Sequence, residues 1–424
     1  MSELLKQVRV IDPIADTDRA ADVLIVDGTL EAIADEIVDY PEGTEIVEAR
    51  GLVFGPGLID LYGRSGEPGF EHRETLDSLR RSALAGGFTR LTILPETDPP
   101  VDNGAILSQL QQTPPLPNSP SPHLDFWGAL TVGLAGTQMT ELRELDAAGA
   151  VGFADGRPLQ NLTLLFRILE YNRTVNKIVA LWPCDTKLVA GGVARESVKS
   201  VRLGLPGDPA LSETTALAAL LECVAATGTP VHIMRVSVAR SLELIREAKA
   251  RGLPVTASTP WTHVLLDDDR LDSYDPNLRL APPIGTRTDR MALLSGIQDG
   301  TIDAIAIDGT PYSYEEKTLA FADAPPGAIG LELALPLLWN HLVESGELSA
   351  AHLWRLLSTH PARCLDRDPP TIAPPQPAEA ILFAPRQMWT VERNTLRSRS
   401  ANTPWLGRSI SGRVRRVWCG GAAP

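Results

Sequence analysis

The chain has 424 residues and carries 53 Asp and Glu against 39 Lys and Arg, a formal net charge of -14. That excess of acid argues against nucleic acid as the main partner, and no apolar run reaches the roughly 18–20 residues that a membrane helix needs. Hydrophobic residues make up 43% and charged ones 22%, the balance of a soluble globular protein long enough for one large domain and a smaller one.

The first residues, Met1 to Lys6, carry no signal-peptide pattern. Cys184, Cys223, Cys364 and Cys419 lie far apart without C-x-x-C spacing, which reads as free thiols in a reducing cytoplasm. Residues 1–54 read as short strands. Val8–Asp12, Val23–Val26 and Glu45–Val47 alternate or run apolar, and Asp27-Gly28 is a hairpin-turn signal. Gly55-Pro56-Gly57 makes a turn, and Leu58–Arg64 then reads as a buried strand entering a larger body. Arg90–Leu94, Phe126–Leu130, Ile178–Leu181, Val231–Met234, Val255–Ala257 and Ile302–Ile307 repeat the buried-strand pattern. Leu211–Thr227, Ala239–Arg251 and Ile329–Glu344 carry apolar residues at helical spacing and end near glycine. Such alternation across residues 55–368 predicts an α/β fold, a (β/α)8 TIM-type barrel whose site lies at the C-terminal ends of its strands.

Two stretches are rich in proline. Thr113–Pro122 reads as a surface loop within the barrel, and residues 369–377 as an extended linker. Beyond it Ile381–Phe383, Trp389–Val391 and Arg413–Val417 are strand-like. Residues 1–54 and 378–424 are therefore expected to build one small β-domain from both chain ends. The basic run Arg408–Arg416 reads as part of a solvated strand pair.

The stretch from Gly55 to Gly69 contains Ile59-Asp60-Leu61-Tyr62-Gly63-Arg64 followed by Glu67-Pro68-Gly69. It resembles the amidohydrolase superfamily, and within it the dihydroorotases, which read P-G-x-I-D-x-H-x-H-x-R-E-P-G there. The resemblance implies that the small β-domain is a β-sandwich. Residues two apart on a strand point the same way, so a His-x-His pair at a strand end sends two imidazoles to one metal. Tyr62 and Arg64 stand at those two places, and Gly66 replaces the arginine. A phenol is a poor zinc ligand, and a permanently charged guanidinium repels a cation.

The resemblance covers nearly the whole chain. Leu94-Pro95-Glu96-Thr97 resembles M-P-N-T, with Glu96 in place of a substrate-holding asparagine. Asp155-Gly156-Arg157-Pro158 resembles the end of F-S-D-D-G-x-P; Asp155 is either the bridging carboxylate of many bacterial members or a turn aspartate. Trp182 and Arg235 fall on the remaining metal-histidine positions, in Leu181-Trp182-Pro183-Cys184-Asp185 and His232-Ile233-Met234-Arg235-Val236-Ser237. His232 reads as a hydrogen-bonded core residue and Cys184 as a buried thiol. Asn277, Pro325 and Gly327 match substrate-pocket positions, and Asp308 matches the family's catalytic aspartate, a metal ligand and proton carrier. Gly309 and Tyr312 replace histidines that follow it.

The residues that build the fold remain, while those that bind metal and substrate are mostly replaced. The resemblance thus implies an inactive dihydroorotase homologue of pyrimidine synthesis, cytoplasmic and without a cofactor. It would be a structural or regulatory partner of aspartate transcarbamoylase, which some bacteria pair with inactive chains of this kind. Self-association stays open. One alternative is a divergent dihydroorotase or other cyclic-amide hydrolase using one metal, zinc, held by Asp155, Cys184, His263 or Asp308, or using none; another is a small-molecule sensor using the vacated pocket. Without metal, buried carboxylates need another counter-charge. Arg64 or Arg235 is therefore expected to pair with Asp308 or Asp155.

Overall fold

The computed structural model describes residues 2–117 and 119–420. Met1, Asn118 in the first proline-rich stretch and the last residues of the C-terminal β-segment, 421–424, lie outside that description. The chain opens with β1 (Ser2–Asp12), β2 (Thr17–Val26), β3 (Thr29–Ala34), β4 (Glu45–Glu48) and β5 (Val53–Pro56). The β2–β3 hairpin turns on Asp27 and Gly28, whose φ values of 48° and 78° are both left-handed. That is the type I′ geometry an Asp-Gly pair favours.

Barrel strands follow: β6 (Leu58–Gly63), β7 (Phe88–Ile93), β8 (His123–Phe126) and β9 (Val179–Leu181). A short parallel pair, β10 (Ala194–Arg195) and β11 (Gly207–Asp208), precedes β12 (Val231–Ile233), β13 (Val255–Pro260) and β14 (Ala304–Ala306). β6, β7 and β8 run parallel side by side, as do β9, β12, β13 and β14. Phe153 supplies the stave between the two runs, bridging Gly128 on one side and Val179 on the other. At the remaining seam the Ile307 N–H donates to Asp60 Oδ1 at 2.9 Å. The result is a (β/α)8 barrel.

The third stave pairs on beyond β8 into the apolar run Phe126–Leu130: the Trp127 N–H donates to Ile93 O at 2.9 Å, and Gly128 bridges Phe153. Ala129 and Leu130, also fully buried, pack in the loop beyond that pairing. Apolar runs report burial, and burial alone does not fix ladder pairing.

The chain returns through β15 (Gln376–Pro377), β16 (Glu379–Thr390) and β17 (Ser409–Cys419). These join the first strands in the order β15-β3-β2-β1-β5-β16-β17, with β4 also on β1. The proline-rich stretch therefore finishes as a sheet edge, since Gln376 and Pro377 pair with Leu30 and Thr29. The sandwich interior is a separate apolar cluster that includes Leu5, Val23, Phe54 and Leu382.

Sandwich and barrel meet at Gly55. The Trp354 indole donates to Pro56 O at 3.0 Å, and a Cβ on Gly55 would lie 2.6 Å from its Nε1. Trp354 is itself fully buried and meets Trp339 edge to face at 5.9 Å, so the ring has nowhere to retreat. Gly55→Ala is expected to cost ~1–3 kcal/mol, the usual penalty for overpacking. Urea unfolding would measure it, and an unchanged midpoint would contradict this account of the seam.

Candidate functional site

The site is assembled where three strands end. Arg64 follows β6, Arg235 follows β12 and Asp308 follows β14. Arg235 grips Asp308 bidentately, Nε donating to Oδ2 at 2.7 Å and Nη2 to Oδ1 at 2.8 Å. Arg64 Nη1 donates to the same Oδ1 at 2.9 Å and to Thr310 Oγ1 at 2.8 Å. Arg64 Nε donates to Glu96 Oε2 at 2.6 Å, and Arg157 Nε reaches Glu96 Oε1 at 3.1 Å. Charge-assisted bonds of this kind gain strength out of water, and the Arg235 and Asp308 side chains are only 1% and 10% exposed. Burial works against the Arg64 charge, but Glu96 and Asp308 outweigh it and hold the guanidinium firmly protonated.

The backbone is bent to make this meeting possible. Arg235 and Asp308 both have left-handed φ, 57° and 50°, a conformation that costs a side-chain-bearing residue about 1–3 kcal/mol. The third Arg235 nitrogen, Nη1, donates to Gly156 O at 2.8 Å. Its guanidinium carbon lies 4.6 Å from the Trp182 ring centroid and 5.7 Å from that of Tyr62, within cation–π range.

Tyr62 lies beneath the mouth rather than in it. Its hydroxyl hydrogen-bonds Ser258 Oγ at 2.7 Å and accepts the Arg235 N–H at 3.2 Å. Burial, then the Asp308 charge, push its phenol up, so it stays protonated. His232 continues the chain inward with Nε2 on Ser258 Oγ and Nδ1 on Thr256 Oγ1, both at 2.8 Å. Burial lowers its pKa to about 3, so it is a neutral core histidine.

The side chains available do not fit a zinc ion. Asp308 has both oxygens committed to guanidiniums. Asp155 is a turn anchor: Oδ1 accepts the Leu130 and Thr131 N–H groups, and Oδ2 accepts the Thr131 hydroxyl at 2.6 Å. Neither arginine reaches it; both pair with Asp308. Burial, with Asp208 and Glu213 nearby, pushes the Cys184 thiol up to about 12. His263 Nε2 lies against the Pro282 and Pro283 carbonyls, and burial lowers its pKa to about 4. Among the described residues no three His, Cys, Asp or Glu side chains are grouped to share a metal ion.

A cavity of about 190 Å³ remains beside the lock, lined by Arg64, Glu96, Trp182, His263, Asp308 and Gly327 among others. Asn277 does not line it. It borders a neighbouring cavity of about 800 Å³ that shares Tyr312 with the mouth. Pro325 is also absent from the mouth, where Pro326 takes its place; the Pro325 carbonyl instead accepts Lys317 Nζ at 2.8 Å. Sequence reasoning missed Thr310, Arg157 and Ser258 as partners. Thr310 could have been found, since it lies two residues beyond Asp308. Arg157 and Ser258 meet the site only through the fold.

The architecture is thus an eight-stave barrel with its candidate site at the strand ends, joined to a β-sandwich built from both chain ends. The chain belongs to the dihydroorotase-like family. The family profile described as Dihydro-orotase-like matches residues 51–241. A Synechocystis sp. protein named "Probable dihydroorotase-like protein" is 43% identical over 435 residues, covering 96% of this chain and 97% of its own. The dihydroorotase of Geobacter sp. (strain M21) is 37% identical over 415 residues, covering 98% and 97%. The solved L-hydantoinase (dihydropyrimidinase) from Arthrobacter aurescens superimposes with a TM-score of 0.84 over 100% of this chain and 97% of that one, at 21% identity, a likeness of fold.

Two outcomes follow from the charges. Asp308→Ala leaves the buried Arg235 guanidinium without a carboxylate, while Arg64 keeps Glu96, and is expected to cost about 3–5 kcal/mol in urea unfolding; a loss under ~1 kcal/mol would mean that the pairing is solvated away. Asp60 lies under the lock, 1% exposed, with Oδ2 lacking a hydrogen-bond partner among the described residues. Burial, then the Asp308 charge, raise its pKa to about 7. A raised carboxyl stabilises the fold fully below its unfolded pKa near ~3.9, and that contribution is lost as pH climbs towards and past 7. Asp60→Asn should therefore gain on the native protein between about pH 4 and 7, by up to ~1.4 kcal/mol per unit. A pH-independent difference in unfolding free energy would refute the assignment.

Proposed function

We propose that this chain is a catalytically inactive dihydroorotase homologue that serves pyrimidine synthesis as a structural or regulatory partner of aspartate transcarbamoylase. The observation that carries the inactivity is the double arginine grip on Asp308. By family likeness this aspartate would ligate metal and carry a proton. Here three hydrogen bonds from two guanidiniums occupy its oxygens. A metal's main service to such a reaction is to lower the pKa of a bound water to about 7. Fixed guanidiniums cannot generate that nucleophile. General-base help alone is worth ~10²–10⁴-fold, short of the ~10⁶-fold or more that enzymes usually supply.

The transcarbamoylase assignment rests on the family likeness. A second reading, a small-molecule sensor, draws on the 190 Å³ cavity, whose walls keep both charged and aromatic side chains.

Purified protein is expected to carry no stoichiometric zinc by elemental analysis and to turn over neither dihydroorotate nor hydantoins. One bound zinc per chain together with turnover would establish the divergent-hydrolase alternative instead. Mixed with the transcarbamoylase of its own source, the protein should co-elute in size-exclusion chromatography; separate elution at micromolar concentration would remove the partner assignment. A thermal shift with a pyrimidine intermediate, lost in Trp182→Ala, would favour the sensor.

A further inference from the structure

We propose that the outer edge of β17 docks an extended acidic segment of a partner protein by strand addition. The inference does not depend on what the barrel mouth does. β17 ends the sheet: it pairs with β16 on one side and with no strand on the other among the described residues. Strand edges of this length present a row of free N–H and C=O groups and are normally covered or blunted. Here the edge opens onto a groove of about 620 Å³ running along Arg413–Val417. Those five residues span about 17 Å of extended chain.

The groove is basic in an acidic protein. From Arg393 onward the sequence holds seven arginines and no aspartate or glutamate, although the whole chain is at -14. Some of the guanidiniums around the groove are already matched. Arg81 pairs with Asp77 at 3.0 Å, and Arg416 with Glu3 at 2.6 Å and Glu45 at 2.9 Å. Arg413 stacks 4.6 Å from the Trp389 ring centroid. Arg397 and Arg415 are exposed and have no acidic partner among the described residues. Arg415 is also the extra residue of a β-bulge, because Leu382 opposes Arg416 and Phe383 opposes Val414. A bulge re-aims its side chain away from the ladder.

The far wall cannot fill the edge itself. It includes Pro117 and Pro120, which lack the N–H groups that ladder pairing uses. Half-buried Val414 and Val417 give the groove an apolar strip. An added strand alternates its side chains, so the fitting segment alternates apolar and acidic residues. Backbone bonds would supply affinity, and Arg397 and Arg415 the choice of charge.

The test uses the full chain and an acetylated, fluorescein-labelled peptide of four Val-Glu repeats. Anisotropy at low salt should show saturable binding, and hydrogen exchange should slow at the amides of residues 413–417. Arg397→Glu with Arg415→Glu should weaken binding at least tenfold, the corresponding double Gln variant by less. Arg202→Glu, on a barrel helix away from the groove, should leave it unchanged. Both affected positions are exposed, so urea midpoints should match the native protein. A Pro-Glu repeat has the same charge without the N–H groups and should not bind. No binding of the Val-Glu peptide, equal binding of the Pro-Glu peptide, indifference to the double Glu variant, or unaltered exchange at 413–417 would each overturn the proposal.

Discussion

One carboxylate holds the mouth of this barrel together. Asp308 is met by Arg235 in a two-pronged grip and by Arg64 from the end of the adjoining strand β6. The barrel needs some cation there, because a carboxylate out of water without a counter-charge is costly. The two arginines meet that need with groups whose charge does not depend on pH. The surroundings then follow from Arg235. Its ring neighbours Trp182 and Tyr62 pack around the guanidinium, and Gly156 offers the carbonyl that satisfies its last nitrogen. Glu96 balances Arg64 and is itself shared with Arg157. The four positions where the family likeness places metal histidines thus form a single mutually dependent cluster.

The scaffold is arranged to hold that cluster still. Asp60 clasps the Ile307 N–H, one residue before Asp308. Left-handed backbone at Arg235 and Asp308 aims the pair at each other. Strain of this sort persists where the surroundings over-determine it, and here the over-determination is a set of three charge-assisted bonds. At the other end of the barrel, the Trp354 contact with Gly55 and Pro56 fixes the sandwich on the first barrel strand.

Much of this was legible in the sequence. Alternating patterns revealed the barrel, and the motif at Asp60–Arg64 pointed to the strand end that matters. The family resemblance placed Arg64, Arg235 and Asp308 at strand tips, and electrostatics demanded that a cation meet an acid. What the sequence could not resolve was which acid. Asp155 and Asp308 look alike as letters, yet three donors from residues 130 and 131 capture Asp155. Such capture depends on loop geometry, and no periodicity encodes that. Phe153 is similar: a stave defined by two bridges carries too short a pattern to read. Asn277 and Pro325 went astray because matching a motif fixes chain position, while cavity walls depend on how loops fold over one another.

The cluster also explains why a mixed site would be unstable. Suppose one arginine were exchanged for histidine and a divalent cation entered beside the other. A guanidinium and a divalent ion ~4 Å apart repel by roughly 8 kcal/mol at an effective dielectric of about 20. A single imidazole ligand would have to offset that while Asp308 was still held by the remaining arginine. Removing both arginines without supplying the metal is no better, for it leaves the Asp308 carboxylate unpaired in a mouth where little water reaches it. Guanidinium pairing and metal ligation are therefore two separate solutions to the same buried charge, with no workable intermediate between them. Around Asp308, Tyr62, Arg64, Trp182 and Arg235 therefore work as one guanidinium-based set, with Arg235 packed on both rings and sharing the carboxylate with Arg64.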